Sequence, residues 1–530
     1  MNCSLRLASF GLGVGLTALA AFGAPARAVD RSLGADVPKP VITGTPWTDA
    51  EITALDANLE LALAGASALR GAHAGLYAID ARDGRVLYQR NPDDAFQPAS
   101  TLKLVVGSAA LDKLGPEFRF RTIAFTGGPV VGGVVNGYLM LRGSGDVLLD
   151  DAALAELPAA LKRAGITAVH GVSFDEPYGL PRYLPGWSWD DLPWYYAAPI
   201  SRLGLNDNQV TLHVAPGAAP GAPLAVTVTP WGNVCPPGYA ACENQLGFVI
   251  VAAATTGSAG SENTLDVTRR IDAGYPDEVR LVGSLAADAK PENLSIAVPY
   301  PPRYAAFGAR RALAAGGISV LPDTITEFSV RSASPAASPA PAPAPAPPFP
   351  LWSHDSEPLR DMLADLWLPS DNVLAEELLR ALGASAPELQ GTSAQGIAYE
   401  KTWLRGLGID TEPLALEDGS GLSAYDRITP RALVTILKHD WDGPYRDVVL
   451  DDLPIAGVRG TLKSSFTGTA AEQRVFAKTG SLSHVSSLAG YVANAKHGAV
   501  IFAFPVDDWV GDAASLRALR ARVLSELAER

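Results

Sequence analysis

Cysteine and positive charge are both scarce in this chain of 530 residues. Three cysteines exclude a disulfide-dense scaffold and a cysteine-rich metal module. The 42 lysines and arginines are outnumbered by 56 aspartates and glutamates, which gives a formal net charge of −14. No nucleic-acid partner is expected, because nucleic-acid binders neutralise phosphates with a basic surface. An anionic substrate remains compatible with this charge, since a local basic pocket can lie on an acidic protein.

Long apolar runs are missing after the N-terminal segment, and no later run approaches the roughly 20 residues that a transmembrane helix needs. The N-terminal segment combines Arg6, an apolar stretch over residues 7–24 and a small-x-small tripeptide ending at Ala28. This pattern predicts a signal peptide, residues 1–28, that is cleaved near Ala28. We therefore expect an exported protein of the periplasm or cell envelope, with no stable membrane span in the mature chain. An uncleaved N-terminal anchor is the alternative.

Two cysteines would remain after cleavage, and they lie close together in the sequence. Cys235 and Cys242 flank Pro236, Pro237 and Gly238, which favour a turn. An even cysteine count in an oxidising compartment predicts one local disulfide between them. Two separate buried thiols are the alternative.

Apolar residues are plentiful at 48%, and the length predicts two to four domains. Residues 75–90 alternate apolar and polar positions around an Asp-Gly turn, which predicts a hairpin. Residues 120–300 are rich in Val, Thr, Gly and Pro and favour strands. The tract 332–348 is almost entirely Pro, Ala and Ser, which predicts an extended spacer. Helices are predicted at 101–114, 303–316, 358–367, 371–382, 395–407, 429–439 and 511–528, and strands near 473–479, 485–493 and 499–504.

The first motif that could carry chemistry is Ser100-Thr101-Leu102-Lys103, at the start of a predicted helix. Positions i and i+3 share a helix face, so the Ser100 hydroxyl and the Lys103 amine would be neighbours. Such a pair suits a serine nucleophile whose proton passes to a neutral lysine, and burial lowers the pKa of a lysine. A serine that merely caps the helix is the alternative.

The second motif is Ser370-Asp371-Asn372, directly before the predicted helix Val373–Leu382. Ser370 could pass on a proton, and Asn372 could donate a hydrogen bond to a substrate carbonyl. The same residue types are also the preferred helix caps, which is the alternative interpretation.

The third motif is Lys478-Thr479-Gly480-Ser481, at the end of a predicted strand. Lys478 and Thr479 could bind a carboxylate, and Gly480 would allow a ligand to approach the backbone closely. The N–H of Ser481, with that of Ser100, could form an oxyanion hole. An ordinary strand end is the alternative.

The three motifs occur in the order S-x-x-K, S-D-N and K-T-G, each on the element that the chemistry needs. The chain thereby resembles the superfamily of class A β-lactamases and penicillin-binding proteins. About 270 positions separate Ser100 from Ser370, more than a compact β-lactamase has. This spacing is similar to that of the class C (low-molecular-mass) penicillin-binding proteins, the D-alanyl-D-alanine carboxypeptidase/endopeptidase family of serine peptidases. Further segments similar to that family are 97–101, 114–120, 142–146, 185–191, 418–423, 453–457 and 480–491.

The resemblance implies an α+β fold. A serine β-lactamase/transpeptidase-like domain, with helices on an antiparallel sheet, would be built from residues 29–124 and 298–530. A large β-rich insertion at 125–297, with one or two subdomains, would interrupt it. The Pro/Ala-rich loop 332–348 would lie within the C-terminal part.

The resemblance also implies a role for each motif residue. Ser100 would be the acyl-accepting nucleophile and Lys103 its general base. Ser370 and Lys478 would pass a proton to the leaving D-alanine, and Asn372 would bind the amide of the donor peptide.

The K-T-G strand would supply the remaining contacts to the substrate. Thr479, with Lys478, would bind the terminal carboxylate, beside Gly480. The backbone N–H groups of Ser100 and Ser481 would hold the tetrahedral oxygen. The resemblance implies no metal and no cofactor.

A side-chain pocket is implied by Asp191 and Tyr196, which would face an ammonium group such as that of meso-diaminopimelate. A loop Asp beside a buried Tyr is the alternative. The family often has an Arg at the position of Ala424, so recognition of the side-chain carboxylate is in question; Arg427 follows three residues later. His484 is expected at the rim of the site or in core packing.

The function implied is that of an exported serine DD-peptidase acting on peptidoglycan stem peptides. It would cleave the terminal D-Ala-D-Ala bond, with D-Ala–diaminopimelate cross-links as further substrates, and β-lactams would acylate Ser100 as covalent inhibitors. The alternatives are a related serine β-lactamase or esterase, and a non-catalytic wall-binding homologue.

Overall fold

The computed structural model describes residues 37, 39–41, 43–176, 182–236, 246–270, 277–321, 350–385 and 391–529. The predicted signal peptide, Cys242 and the Pro/Ala tract lie outside this part of the chain and stay predictions. Within the described ranges, no helix is both long enough and apolar enough to cross a bilayer.

Helices occur at all the predicted positions, and four more of the described helices, the first, third, fourth and tenth, were missed. In the described part of the chain they are α1 Asp49–Ala64, α2 Lys103–Leu114, α3 Asp151–Leu154, α4 Leu157–Arg163, α5 Pro301–Ala315, α6 Leu359–Trp367, α7 Asn372–Gly383, α8 Ser393–Gly406, α9 Pro430–Asp442, α10 Arg446–Asp452 and α11 Ala513–Glu529.

The strands of the same residues are short in the middle of the chain and long near its end. They are β1 His73–Ala74, β2 Leu76–Asp80, β3 Val86–Arg90, β4 Arg121–Thr126, β5 Val130–Val131, β6 Val134–Arg142, β7 Ala168–Phe174, β8 Gln209–Ala215, β9 Ala225–Thr229, β10 Val249–Ala252, β11 Thr255–Gly257, β12 Asp266–Arg270, β13 Glu278–Val282, β14 Ser284–Ala286, β15 Glu292–Ala297, β16 Ser319–Val320, β17 Trp352–Asp355, β18 Val475–Leu482, β19 Val485–Asn494, β20 Gly498–Ala503 and β21 Val506–Asp507.

One antiparallel sheet joins the two ends of the chain. Its order is β1-β21-β19-β20-β2-β3, and β18 pairs with the other side of β19. The predicted hairpin at 75–90 supplies β2 and β3. Strands β19 and β20 are buried at every position, because both faces of the sheet are covered by helices.

The two faces of this sheet pack in separate hydrophobic cores. One core contains Leu104 of α2, Leu363 of α6 and Leu378 of α7. The core on the opposite face contains Leu55 of α1 and Leu524 of α11. The predicted arrangement of helices on an antiparallel sheet is therefore present.

A second body lies between β4 and β17 and contains most of the short strands. A six-stranded sheet has the order β16-β7-β6-β4-β17, with β5 paired to β6. The strands from β8 through β15 form three smaller sheets. One hydrophobic core includes side chains from the large sheet and from the small ones, such as Leu139 and Leu212. The described sheets of the insert therefore share one core.

The packing places the end of this insert later than predicted. Tyr304 and Leu313 of α5 belong to the core of the insert, and so does Trp352 of β17. The boundary predicted at residue 297 would cut through this core, because sequence patterns mark elements but not the layer on which an element packs. We propose an insert that extends to about residue 352.

Gly107 sets the position of helix α2, which carries Lys103. A Cβ atom at Gly107 would lie 2.6 Å from Cζ2 of Trp367, so only a glycine lets α2 approach α6 this closely. The fully buried Trp367 indole donates a hydrogen bond to the backbone oxygen of Lys103 at 3.1 Å. The start of α2 is thereby tied to α6.

We predict opposite effects for the same substitution at two helical glycines. Gly107→Ala should lower the free energy of unfolding by about 1–3 kcal/mol, because the new methyl group overlaps Trp367. Gly406→Ala, whose Cβ would point into open space, should leave it unchanged or raise it by less than about 1 kcal/mol. Denaturant unfolding of both variants measures the difference, and equal stabilities would contradict the packing argument.

Candidate active site

The Ser100 hydroxyl and the Lys103 amine lie together at the start of α2. A 3₁₀ turn, Ala99–Leu102, leads directly into the helix. Ala99 has a φ of 44°, a strained value for a residue with a side chain. Lys103 Nζ lies 2.9 Å from Ser100 Oγ. The predicted i, i+3 neighbours are therefore in hydrogen-bond contact.

Lys103 is fully buried, and its amine has two further partners. Nζ donates to Asn372 Oδ1 at 2.5 Å and to the Ser420 backbone oxygen at 2.7 Å. Burial lowers the pKa of Lys103 to about 8, against the opposing effect of the carboxyl groups of Asp418 and Glu376. This lysine can therefore exist as a neutral amine near neutral pH, as a proton acceptor must.

A second serine–lysine pair lies next to the first. Lys478 Nζ donates to Ser370 Oγ at 2.8 Å and to the backbone oxygen of Thr479 at 2.9 Å. Burial and the neighbouring Lys103 hold the pKa of Lys478 well below its ordinary value. Ser370 has a φ of 70°, so it also stands in a strained conformation.

Asn372 is the first residue of α7, which is capped by Asp371 through the N–H of Leu374 at 3.0 Å. Its side-chain amide is engaged at both ends. Oδ1 accepts from Lys103, and Nδ2 donates to the Tyr196 backbone oxygen at 2.6 Å. The amide thus holds the lysine in place, a contact that the sequence did not predict.

Strand β18 forms the opposite wall of the site. A Cβ atom at Gly480 would lie 2.5 Å from the Pro98 backbone oxygen and 3.0 Å from the Ser100 nitrogen. The sequence predicted that a ligand would approach the backbone closely at Gly480, and in the structure the segment 98–100 makes a close approach there. Thr479 Oγ1 donates to Thr461 Oγ1 at 2.7 Å, and Ser481 is exposed at the end of the strand.

Asp191 and Tyr196 come from the insert and lie beside these groups. The Tyr196 hydroxyl donates to Asp191 Oδ1 at 2.9 Å, while its backbone oxygen accepts from Asn372. Burial raises the pKa of Asp191, a half-buried carboxyl. A single residue therefore connects the proposed pocket with the centre of the site.

Residues 55–526 match the D-Ala-D-Ala carboxypeptidase 3 (S13) family. The chain belongs to this family. It is 33% identical over 438 residues to the D-alanyl-D-alanine carboxypeptidase of Actinomadura sp. (strain R39), which covers 80% of this chain and 76% of that protein. It is 27% identical over 447 residues to the D-alanyl-D-alanine carboxypeptidase DacB of Haemophilus influenzae, which covers 82% of this chain and 85% of that protein.

The fold of this S13 peptidase is similar to that of a solved relative. The crystal structure of penicillin binding protein 4 from Haemophilus influenzae matches with a TM-score of 0.72 and 25% identity, and covers 89% of this chain and 99% of that chain. The predicted family is thereby confirmed, as is the transpeptidase/β-lactamase-like fold with its β-rich domain. The chain is a serine-type D-Ala-D-Ala carboxypeptidase, a hydrolase of the penicillin-binding protein class.

The S13 site contains residues that the sequence analysis missed. Ser420 contributes its backbone oxygen to Lys103, and Thr461 contributes its hydroxyl to Thr479. Ser420 lies in 418–423, a segment noted for its family resemblance but given no role. Thr461 carried no signal at all, because it comes close to the site only through tertiary packing.

Arg427 does not replace the Arg that the S13 family often has at position 424. Its Nη1 donates to the backbone oxygens of Ala424 and Asp426 at 2.9 Å and 2.7 Å. The guanidinium is therefore engaged by its own loop. Ala424 itself is exposed and offers no charged group.

Two further predicted residues have contacts outside the two serine–lysine pairs. His484 is exposed in the turn between β18 and β19, where its ring bonds the backbone oxygen of Trp509 at 3.0 Å, so it does not pack in the core. Cys235 is disulfide-bonded, and its predicted partner Cys242 lies outside the described residues. In the described part of this S13 peptidase, no group of three or more His, Cys, Asp or Glu side chains could hold a metal ion.

Proposed function

We propose that this protein is an exported serine DD-peptidase that cleaves the terminal D-Ala-D-Ala bond through an acyl-enzyme on Ser100. The observation that carries the proposal is the 2.9 Å contact between Ser100 Oγ and the fully buried amine of Lys103. A neutral amine at this distance can take the proton of a hydroxyl as the hydroxyl oxygen attacks a carbonyl carbon.

Acylation begins when Ser100 Oγ bonds to the carbonyl carbon of the penultimate D-alanine and its proton moves to Lys103 Nζ. The backbone N–H groups of Ser100 and Ser481 stabilise the tetrahedral oxygen. The bond to the terminal D-alanine then breaks. The nitrogen of the leaving D-alanine takes a proton from the Ser370 hydroxyl. Lys478 then gives a proton back to Ser370 across their 2.8 Å hydrogen bond.

Deacylation reverses these steps with water as the nucleophile. Before deacylation the proton that Lys103 took from Ser100 passes to Lys478, which gave one up to the leaving group through Ser370, so Lys103 is a neutral amine again. Water then attacks the ester carbon, Lys103 accepts a proton of the water, and that proton moves to Ser100 Oγ as the ester bond breaks. The net reaction consumes one water molecule and releases the shortened peptide.

The substrate's terminal carboxylate would bind at Lys478 and Thr479. Thr479 is partly exposed and Lys478 lies behind it, so a carboxylate in the cleft meets a hydroxyl first and an amine next. Asn372 would meet the donor peptide's amide only by exchanging its hydrogen bond with the Tyr196 backbone oxygen.

The half-buried Asp191 carboxyl, held by Tyr196, supports a pocket for an ammonium group such as that of meso-diaminopimelate. Because Ala424 offers no charged group and Arg427 is engaged by its own loop, we assign no group to the side-chain carboxylate. Cleavage of D-Ala–diaminopimelate cross-links is part of the proposal, since such a bond presents the same D-alanyl carbonyl. So are β-lactams as inhibitors, residence in the periplasm or cell envelope, and a Cys235–Cys242 disulfide.

Two alternatives are distinguished by kinetics. A serine β-lactamase or esterase would deacylate rapidly and release the opened lactam with many turnovers. A non-catalytic wall-binding protein would form no acyl-enzyme, although two intact serine–lysine pairs argue against it.

We predict that benzylpenicillin adds its own mass to the protein at Ser100. Intact-protein mass spectrometry and sequencing of the modified peptide measure this adduct. Ser100→Ala should abolish it while leaving the melting temperature nearly unchanged, because the hydroxyl is only half-buried. Folded wild-type protein that stays unmodified would contradict the proposed function.

We predict that the acylation rate rises with pH around a midpoint of about 8, the pKa of Lys103. Below that value the amine is protonated and cannot accept the Ser100 proton, so the rate should fall about tenfold for each pH unit. Pseudo-first-order acylation between about pH 6 and about pH 9 measures the profile. Lys103→Ala should be slow with no such midpoint, and a wild-type rate independent of pH would refute the assignment of the base.

We predict that Asp191→Asn selectively weakens turnover of peptides with a free side-chain ammonium. A hydrogen bond to a charged group contributes about 1.5–3 kcal/mol, so kcat/KM should fall about tenfold to a hundredfold for a diaminopimelate peptide. Acylation by benzylpenicillin, which lacks that ammonium, should hardly change. The neighbouring Asp190→Asn is the matched control, since Asp190 is exposed. Equal losses in both variants would disprove the pocket.

A further inference from the structure

Four carboxyl groups are buried behind Lys103, and the proposed mechanism uses none of them. Glu376, Glu400, Asp418 and Asp426 are each at most 1% exposed. Burial raises the pKa of Glu376, Glu400 and Asp426, and neighbouring carboxyls add to this effect. Such groups are costly to bury unless their oxygens accept hydrogen bonds.

Glu376 lies on the same helix face as Asn372, one turn further along α7. Its Oε1 accepts hydrogen bonds from the backbone N–H groups of Gly419 at 3.1 Å and Ser420 at 2.8 Å, and Oε2 lies 3.2 Å from the Gly419 nitrogen. The Glu376 carboxyl therefore holds the two backbone N–H groups that precede the Ser420 carbonyl.

That carbonyl is the one that faces Lys103, at 2.7 Å. The rest of the loop is fixed by Asp418, which accepts from the N–H groups of Gly421 at 2.6 Å and Ser423 at 2.8 Å. The Gly421 N–H belongs to the same peptide unit as the Ser420 carbonyl, so Asp418 holds that unit on one side, and Glu376 holds the N–H groups of Gly419 and Ser420 on the other.

A neutral lysine amine has two N–H bonds and one lone pair. With Asn372 Oδ1 and the Ser420 oxygen accepting the two N–H bonds, the lone pair is left for the Ser100 hydroxyl. If the Ser420 oxygen withdrew, the amine could rotate and direct an N–H bond at Ser100. The lone pair therefore faces the Ser100 hydroxyl only when both Asn372 Oδ1 and the Ser420 oxygen are in place.

We propose that Glu376 is a positioning residue for acylation, which keeps the Ser420 carbonyl on the Lys103 amine by holding the Gly419–Ser420 backbone. The proposal rests on the proposed function, since it concerns the transfer of the Ser100 proton. Helix α7 then orients the base twice, directly through Asn372 and indirectly through Glu376.

The position of the acceptor oxygen, rather than its charge, is what this role requires. Burial and the nearby Asp418 raise the pKa of Glu376 to about 8, so an uncharged acceptor is compatible with the contacts. Glutamine at 376 keeps an oxygen at the same reach, since Oε1 alone contacts both N–H groups. Aspartate keeps the acid but withdraws it by about one methylene, or about 1.5 Å.

The test compares Glu376→Gln, Glu376→Asp and Glu376→Ala by acylation with a fluorescent penicillin at neutral pH. The maximal acylation rate and the half-saturating concentration are determined separately. We expect Glu376→Gln within about threefold of wild type, and Glu376→Asp and Glu376→Ala slower by about tenfold to a hundredfold, because misplacement by about 1 Å has effects of this size. The half-saturating concentration should stay constant, since the buried Glu376 side chain does not face the cleft.

Glu400→Gln is the matched control. Glu400 is equally buried on the adjacent helix α8, but neither of its carboxyl oxygens has a hydrogen-bond partner among the described residues. Its variant should acylate like wild type. A loss there equal to that of Glu376→Asp would indicate a general response to a lost buried acid and would overturn the proposal.

The order of the variants decides the remaining cases. Glu376→Asp as fast as or faster than Glu376→Gln would overturn the positioning role in favour of charge, even if Glu376→Ala fails to fold. A folded Glu376→Ala with the wild-type rate would also overturn it. Failure of the wild-type protein to acylate would instead refute the proposed function, and the positioning role with it.

Discussion

The site depends on one amine that is removed from water. Lys103 is 0% exposed, and burial lowers its pKa, while the carboxyls of Asp418 and Glu376 raise it. The resulting value of about 8 is the balance of two opposed effects. If Asp418 and Glu376 were both fully ionised, they would keep Lys103 protonated. Their effect is therefore on the charge of the lysine and not only on the stability of the fold. Burial raises the pKa of Glu376 and that of the neighbouring Asp426, which reduces this conflict.

Backbone strain beside each serine is the second requirement of this arrangement. Ala99 and Ser370 have φ values of 44° and 70°, and each such residue costs about 1–3 kcal/mol. The surroundings hold Ala99 in place from two sides, because Gly480 and Gly421 bring the backbone against it. A Cβ atom at Gly421 would lie 1.9 Å from the Ala99 oxygen, so neither glycine could be a larger residue without displacing Ala99 and the adjacent Ser100.

The sequence predicted the pairs of residues that depend on local spacing and missed the contacts that depend on packing. Ser100 and Lys103 lie on one helix face whatever the tertiary structure is, so their 2.9 Å contact was predictable. The second contact of Asn372, with a backbone oxygen about 176 residues away in the chain, was not. A backbone carbonyl leaves no trace in residue type, which also hid Ser420. The sequence also did not show that α5 packs in the core of the insert, because its apolar face could pack on either body.

The insert separates Ser100 from Ser370 in the sequence, and it also contributes residues to the site. Tyr196 belongs to the insert, yet its backbone oxygen binds Asn372 Nδ2, and Asn372 Oδ1 binds the Lys103 amine. Loss of that oxygen would leave a mostly buried amide donor unpaired, at a cost of about 1–3 kcal/mol. The hydroxyl of the same tyrosine orients Asp191. Under the proposed function, a substrate that moved Asp191 would act on the same residue that positions Asn372 and Lys103, so recognition of the peptide side chain and proton transfer would be coupled through Tyr196.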